Sequence, residues 1–195
     1  MFTRRGIVLS SACLLAACAS PFQDRDIGGI APPAVRDYDV VALSVEVPRT
    51  LTVSEENAYY PRADIVWRGE PYGDRFQQVQ RIFEEGMGRG VATLTGSRDV
   101  RVQVEVRRFH SLTEKARYSV GGVHSIRFVL TVTDPRTGAV IEGPRLVSAD
   151  APALGGSQAL AADRAGQTER VTVVDHLARV IVAELRDPSP TAAGR

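Results

Sequence analysis

Three histidines, His110, His124 and His176, are the side chains best suited to acid–base or metal chemistry, because imidazole titrates near neutrality and ligates metals when neutral. His110 and His124 flank one loop and could meet at the end of paired strands, where a carboxylate such as Glu114 would complete a facial metal site. No His-x-x-x-His or comparable spacing accompanies them, so structural or surface roles outweigh a metal centre. Lys115 is the single lysine and the only Schiff-base candidate. A Gly-x-Ser-x-Gly elbow is missing, which leaves a hydrolase triad without an anchor. Gly86-x-Gly88-x-Gly90 has the outline of a phosphate loop but falls at the end of a helical pattern rather than at its start. Gly121-Gly122 and Gly155-Gly156 read as backbone turns. The expectation is therefore no enzyme, no cofactor and no metal. A hydrolase using His110 or His124 as general base is the enzymatic alternative.

Both cysteines, Cys13 and Cys18, lie in the first twenty positions. Arg4 and Arg5 precede a small and apolar run, "GIVLSSACLLAA", of the length of a secretory h-region and about half of the ~20 residues that a spanning helix needs. The run ends in Leu15-Ala16-Ala17-Cys18, which resembles the lipobox of bacterial lipoproteins. That resemblance implies cleavage before Cys18, diacylglycerol on its thiol and acylation of the new amino terminus, with residues 1–17 removed and Cys13 lost with them. An ordinary signal peptide cut at an A-x-A-like site is the alternative. Three acyl chains, at ~0.8 kcal/mol per buried methylene, would hold a protein on a membrane where one chain would not. The resemblance further implies transfer to the periplasmic face of the outer membrane, since Ala19 and Ser20 follow Cys18 where Asp would favour inner-membrane retention.

The sequence carries 24 basic and 23 acidic residues; without Arg4 and Arg5 the balance becomes 22 against 23. Near-neutrality argues against a nucleic-acid partner. Loss of Cys13 leaves no thiol beyond the lipidated one, which excludes disulfides, Cys-ligated zinc and a cysteine nucleophile.

The elements that must position any site follow from periodicity. Residues 18–39 read as a lipidated Cys and a Pro-, Gly- and charge-rich tether, residues 40–187 as one globular domain, and residues 188–195 as a frayed tail. Val41, Leu43, Val45 and Val47 alternate with Ala42, Ser44 and Glu46 in a half-buried strand ended by Pro48. Asp74 could cap a helix with Phe76, Val79, Phe83, Met87, Val91 and Leu94 at three- and four-residue spacing. Gly86, Gly88 and Gly90 weaken its last turns or permit close packing on a sheet. Val100, Val102, Val104 and Val106 form one face of a strand whose other face is polar. Ile126, Phe128, Leu130 and Val132 repeat the pattern, and a turn at 134–138 leads to a hairpin partner with a bulge or edge at Gly143-Pro144. A last helix from about Gln167 to Arg186 presents Val171, Val174, Leu177, Ala178, Ile181 and Leu185. The order β-α-β-β-β-α predicts a single-domain α+β fold, an antiparallel-rich sheet with two helices on one face.

The segments "YYPRADIVWRGEPYGDR", "RFHSLTEKARYSVGGVHSI" and "ERVTVVDHLARVI" resemble an uncharacterised family of short alphaproteobacterial lipoproteins, a domain of unknown function, over about residues 38–187. The resemblance implies fold and location but no activity. The β-α-β-β-β-α order behind a lipid anchor is also loosely similar to auxiliary lipoproteins of envelope ABC-type transport systems.

Two loops are richer than connectors usually are. The first places Tyr59, Tyr60, Trp67 and Tyr72 among Arg62, Arg68 and Arg75; the second gathers Arg107, Arg108, Lys115, Arg117 and Tyr118 around His110 and His124. Aromatics and Arg dominate binding hot spots, and the second loop could meet an acidic partner or a lipid head group. Packing of the loops on their own sheet is the bland account. The expected partner-binding set is Tyr60, Arg62, Trp67, Arg68, Arg108, His110, Lys115, Arg117, Tyr118 and His124, with Cys18 lipidated. The expected function is a non-catalytic binding or accessory lipoprotein of the envelope; the alternative is a lipid or small-ligand binder of a transport system.

Overall fold

The computed structural model describes residues 36–186, so the expectations for Cys13, Cys18, most of the tether and the tail lie outside the described residues. The strands are β1 (Tyr38–Glu46), β2 (Ile65–Val66), β3 (Arg98–His110), β4 (Gly122–Thr133), β5 (Val140–Ser148) and β6 (Ala151–Ala153). The helices are α1 (Arg75–Val91), α2 (Glu114–Arg117), α3 (Gly156–Arg164) and α4 (Glu169–Arg186). The sheet runs β1-β3-β4-β5, with β2 also on β3 and β6 also on β4. This is an α+β fold on a mixed sheet: β1 and β2 pair with β3 in parallel, and the β3–β4, β4–β5 and β4–β6 pairs are antiparallel. The parallel β1–β3 pair follows from α1, since a helix between two neighbouring strands returns the chain in its original direction.

Asp74 caps α1 as its position suggests, accepting from the N–H of Gln77 at 3.2 Å. Val79, Ile82, Phe83 and Met87 of that helix are fully buried against Val100, Val102, Val104 and Val106 of β3 and Ile126, Phe128, Leu130 and Val132 of β4. Phe83 sits between Phe109 and Phe128, with ring centroids 6.0 and 5.9 Å away. Each large side chain buried here contributes about 1.5–3 kcal/mol. Arg101, Gln103 and Arg107 are exposed on the opposite side of β3.

Two bulges revise the expected alternation. A register shift between Val40 and Ala42 turns Val41 outward, so Val40 rather than Val41 packs on the core beside Leu43 and Val45. A second, between Val106 and Arg108, turns Phe109 inward with 0% exposure where strict alternation would have placed Arg108. On α4 the buried stripe contains Val173, Val174, Leu177, Ile181 and Leu185, with Val171 only half-buried.

Gly86 and Gly90 face α4, not the sheet. A Cβ on Gly86 would lie 2.8 Å from the Val174 carbonyl oxygen, and one on Gly90 would lie 2.5 Å from that of Ala178 and from Cγ2 of Ile181. The absent side chains are what lets the two helices approach backbone to backbone. Beyond that contact, an open, mainly apolar groove of about 670 Å³ runs between the C-terminal turns of α1 and α4, rimmed by Arg89, Arg179 and Arg186.

Candidate functional site

The two aromatic and basic loops converge on the end of the sheet where β3 finishes and β4 begins. β2 brings them together, because Ile65 and Val66 pair with Phe109 and His110 and thereby stitch the first loop to the root of the second. Arg68 then bridges them: its guanidinium donates to both oxygens of Glu114 at 2.9–3.0 Å and to Glu55 at 2.6 Å. Glu55 also binds Arg75, which is 4% exposed and donates further to Gln78 and to the carbonyls of Glu70 and Pro71. The Arg75 hydrogen bond foremost, with Arg68 behind it, holds the Glu55 carboxyl below its ordinary pKa; Arg68 does the same for Glu114. Two lighter ties complete the seam, Thr113 Oγ1 to the Ala58 carbonyl at 2.7 Å and the Lys115 N–H to Asn57 Oδ1 at 2.8 Å.

The expected contact residues divide by environment. Tyr60 is 67% exposed, lies over His110 with centroids 4.5 Å apart, and accepts from Arg108 at 2.9 Å. Lys115 is exposed and sits 4.6 Å over the Tyr59 ring. Arg62 and Tyr118 are exposed, and neither side chain makes a hydrogen bond or ion pair among the described residues. Trp67 is different. It has 0% exposure, packs edge-on against Phe109 at 5.5 Å and donates its indole N–H to Glu70 at 2.9 Å, which makes it core and removes it from any surface. Arg68 is half-buried in the seam, and Arg117 is 8% exposed and paired with Asp163 of α3 at 2.6 Å.

His110 and His124 come to the same end of the sheet, both buried, yet they face different partners. His110 Nε2 lies 2.9 Å from the Pro61 carbonyl, which can only accept, so the proton sits on Nε2; burial lowers its pKa. His124 Nδ1 lies 2.6 Å from Ser111 Oγ, and that hydroxyl donates to Glu169 Oε1 at 2.5 Å. The single hydroxyl proton goes to the carboxylate, so Nδ1–H of His124 donates to Ser111. Desolvation, aided by Arg117 and His176, lowers His124 to about 4, and it is neutral at neutral pH. Burial pushes the Glu169 carboxyl up, against the opposing pull of Ser111, Arg117 and the Leu112 N–H. The chain order is thus His–Ser–Glu. An imidazole that donates to a hydroxyl does not accept its proton, and Ser111 is only 3% exposed, so this geometry does not activate Ser111 through His124. Among the described residues no three His, Cys, Asp or Glu side chains are placed to hold a metal ion, Glu114 being turned to Arg68. His176, on α4, reaches the Ala149 carbonyl at 3.0 Å and ties that helix to the sheet.

Ser111, Glu169, Asp163 and Glu55 escaped the sequence reading. One signal was present: Glu169 stands four residues before Val173 on the stripe that continues through Leu177 and Ile181, a carboxylate on an apolar face. No comparable pattern marks Ser111.

Around this seam lie most of the large apolar side chains left in solvent. Tyr59, Tyr72, Tyr118, Val120, Val123, Leu154 and Leu160 join Tyr60 there, whereas Val41, Val140 and Leu146 lie elsewhere on the sheet. A small charged cavity of about 200 Å³ opens between α2, the residues around Arg68 and the start of α4.

Among curated proteins none matches the sequence. Among solved structures the chain is similar to a Xanthomonas campestris protein of the family model DUF330, at 13% identity and TM-score 0.44 over 80% of this chain and 84% of that one. A "putative lipoprotein" from Caulobacter crescentus CB15 is similar at 17% identity and TM-score 0.34, over 73% and 87% of the two chains. Residues 38–195 match the family of unknown function DUF6778, and the chain belongs to that family.

Proposed function

We propose that the protein is a lipid-anchored, non-catalytic binding component of the bacterial envelope, whose converged loop end docks another envelope protein. The observation that carries this reading is the polarity of the domain. The chain enters at Tyr38, which pairs with Arg98 at the first residue of β3, while both loops gather at His110, the last. Thirteen residues of strand separate the two ends, about 40 Å at 3.3 Å per residue. The chain thus enters at the end of the sheet opposite the aromatic loops, which leaves those loops clear of the point of entry. Exposed Tyr60 and Tyr118 beside Arg62, Arg108 and Lys115 are the residue types that dominate protein interfaces. Among the described residues no helix is long and apolar enough to cross a membrane.

The test is site-specific photo-crosslinking in cells, with benzoylphenylalanine at Tyr60, Tyr118 or Gln103. One envelope protein captured from Tyr60 and Tyr118 but not from the sheet-face position Gln103 is the expected result; equal capture from all three, or none from the loops, refutes it. Cys18→Ser should release the protein from membranes or leave it unprocessed. Unchanged fractionation removes the anchor from the proposal. A second reading, carriage of a lipid or small apolar ligand, is favoured by the groove between α1 and α4. Mass spectrometry of the purified protein separates the two, because only a carrier brings a ligand with it.

A further inference from the structure

We infer that the 200 Å³ cavity beside Glu169 is a binding site for a primary ammonium group, carried either by a free amine or by a lysine side chain. Its charged lining is Arg68, Glu114, Arg117, Asp163 and Glu169, with Tyr118 on the rim. Both guanidiniums are already matched, Arg68 by Glu55 and Glu114, Arg117 by Asp163. That leaves Glu169. Its side chain is 3% exposed, and every hydrogen bond it makes among the described residues, from Ser111 and from the Leu112 N–H, goes to Oε1. Oε2 has no partner among them.

A carboxylate this enclosed, with its second oxygen open only to the cavity, carries a desolvation cost that a cation with N–H groups reduces. An anion finds no free guanidinium here, because three carboxylates face two arginines, and a neutral apolar ligand would leave Oε2 as it is. The volume suits a group of a few heavy atoms, and the half-exposed Tyr118 ring offers a face to the positive charge. Within the binding reading above, the lysine source would name a chemical feature of the partner. The ammonium site itself does not require that partner, so either can fail alone.

The experiment is titration of the isotope-labelled full chain in detergent with n-butylammonium, Nα-acetyl-lysine amide and, as the uncharged counterpart, n-butanol. Backbone amide shifts at Leu112 and Glu169 are read. Saturable shifts with both cations, with Kd on the order of 1–10 mM as expected for such small ligands, and none with n-butanol, support the inference. Tighter binding of the acetylated lysine amide points to the lysine source, and the reverse to a free amine. Glu169→Gln keeps an acceptor for Ser111 and Leu112 and should weaken binding about tenfold or more. Tyr118→Lys, on the exposed rim, should weaken binding as well, both by placing its own ammonium in the cavity and by removing the ring. Absence of shifts, equal shifts with n-butanol, or undiminished binding in both variants overturns the inference.

Discussion

Acidification should destabilise the protein through His124, and the size of the effect follows from its surroundings. The imidazole is 2% exposed, donates to Ser111, and titrates at about 4 in the folded state against 6.5 when unexposed to the fold. Between these values the unfolded chain holds the extra proton, so stability falls as pH falls, by up to about 1.4 kcal/mol per pH unit. Integrated from about pH 7, the loss is about 1 kcal/mol by pH 5.5 and about 3 kcal/mol by pH 4. His110 and His176, also lowered by burial, act in the same direction. Glu169 acts in the other: its raised pKa gives stability that is complete below 4.5 and is lost as pH rises through the folded value. Subtraction isolates His124. His124→Asn keeps an N–H for Ser111 but cannot titrate, so urea unfolding of both chains at each pH yields the difference in loss directly. Wild type should lose about 3 kcal/mol more than the variant between about pH 7 and 4. Parallel stability profiles would refute the buried, neutral imidazole and the hydrogen-bond order built on it.

Two glycines two residues apart should respond in opposite senses. Gly90→Ala places a methyl 2.5 Å from α4 and should cost roughly 1–3 kcal/mol, whereas Gly88→Ala meets nothing within 4 Å and should gain roughly 0.5–1 kcal/mol in helix propensity, both read from urea midpoints. Arg68→Ala removes the bridge between Glu55 and Glu114 and should cost roughly 1–3 kcal/mol. Amide exchange at Lys115, whose N–H is held by Asn57 of the other loop, should quicken in that variant; unchanged exchange would show that the loops converge without Arg68. Arg68→Lys should not restore it, since one ammonium cannot reproduce the forked contact with both carboxylates.

What local pattern can encode was legible. The valines of β3 face the core at every second position, Asp74 starts α1, and Asp134 accepts from the N–H groups of Arg136 and Thr137 in the turn that the sequence "DPRTG" suggests. Each involves residues within one turn or one strand, where spacing alone sets the face. The bulges at Val41 and Arg107 were not legible, because an extra residue in one strand is specified by its pairing with another. Trp67 shows the same limit from the opposite side: an aromatic among arginines has interface composition, but only Phe109 and Glu70 decide that it faces inward.

The sequence by itself determined the α+β class, the two amphipathic helices and the concentration of aromatic and basic residues in two loops. All of these arise from contacts near in sequence or from residue type. Tertiary structure decided that the loops share one end of the sheet, that α1 and α4 meet at Gly86 and Gly90, and that Ser111 contacts Glu169 across 58 positions. The physical reason is that a hydrogen bond or an ion pair between distant residues leaves no periodicity behind it. Its partners look like ordinary polar residues until the parallel pairing of β2 with β3 and the docking of α4 bring them within reach.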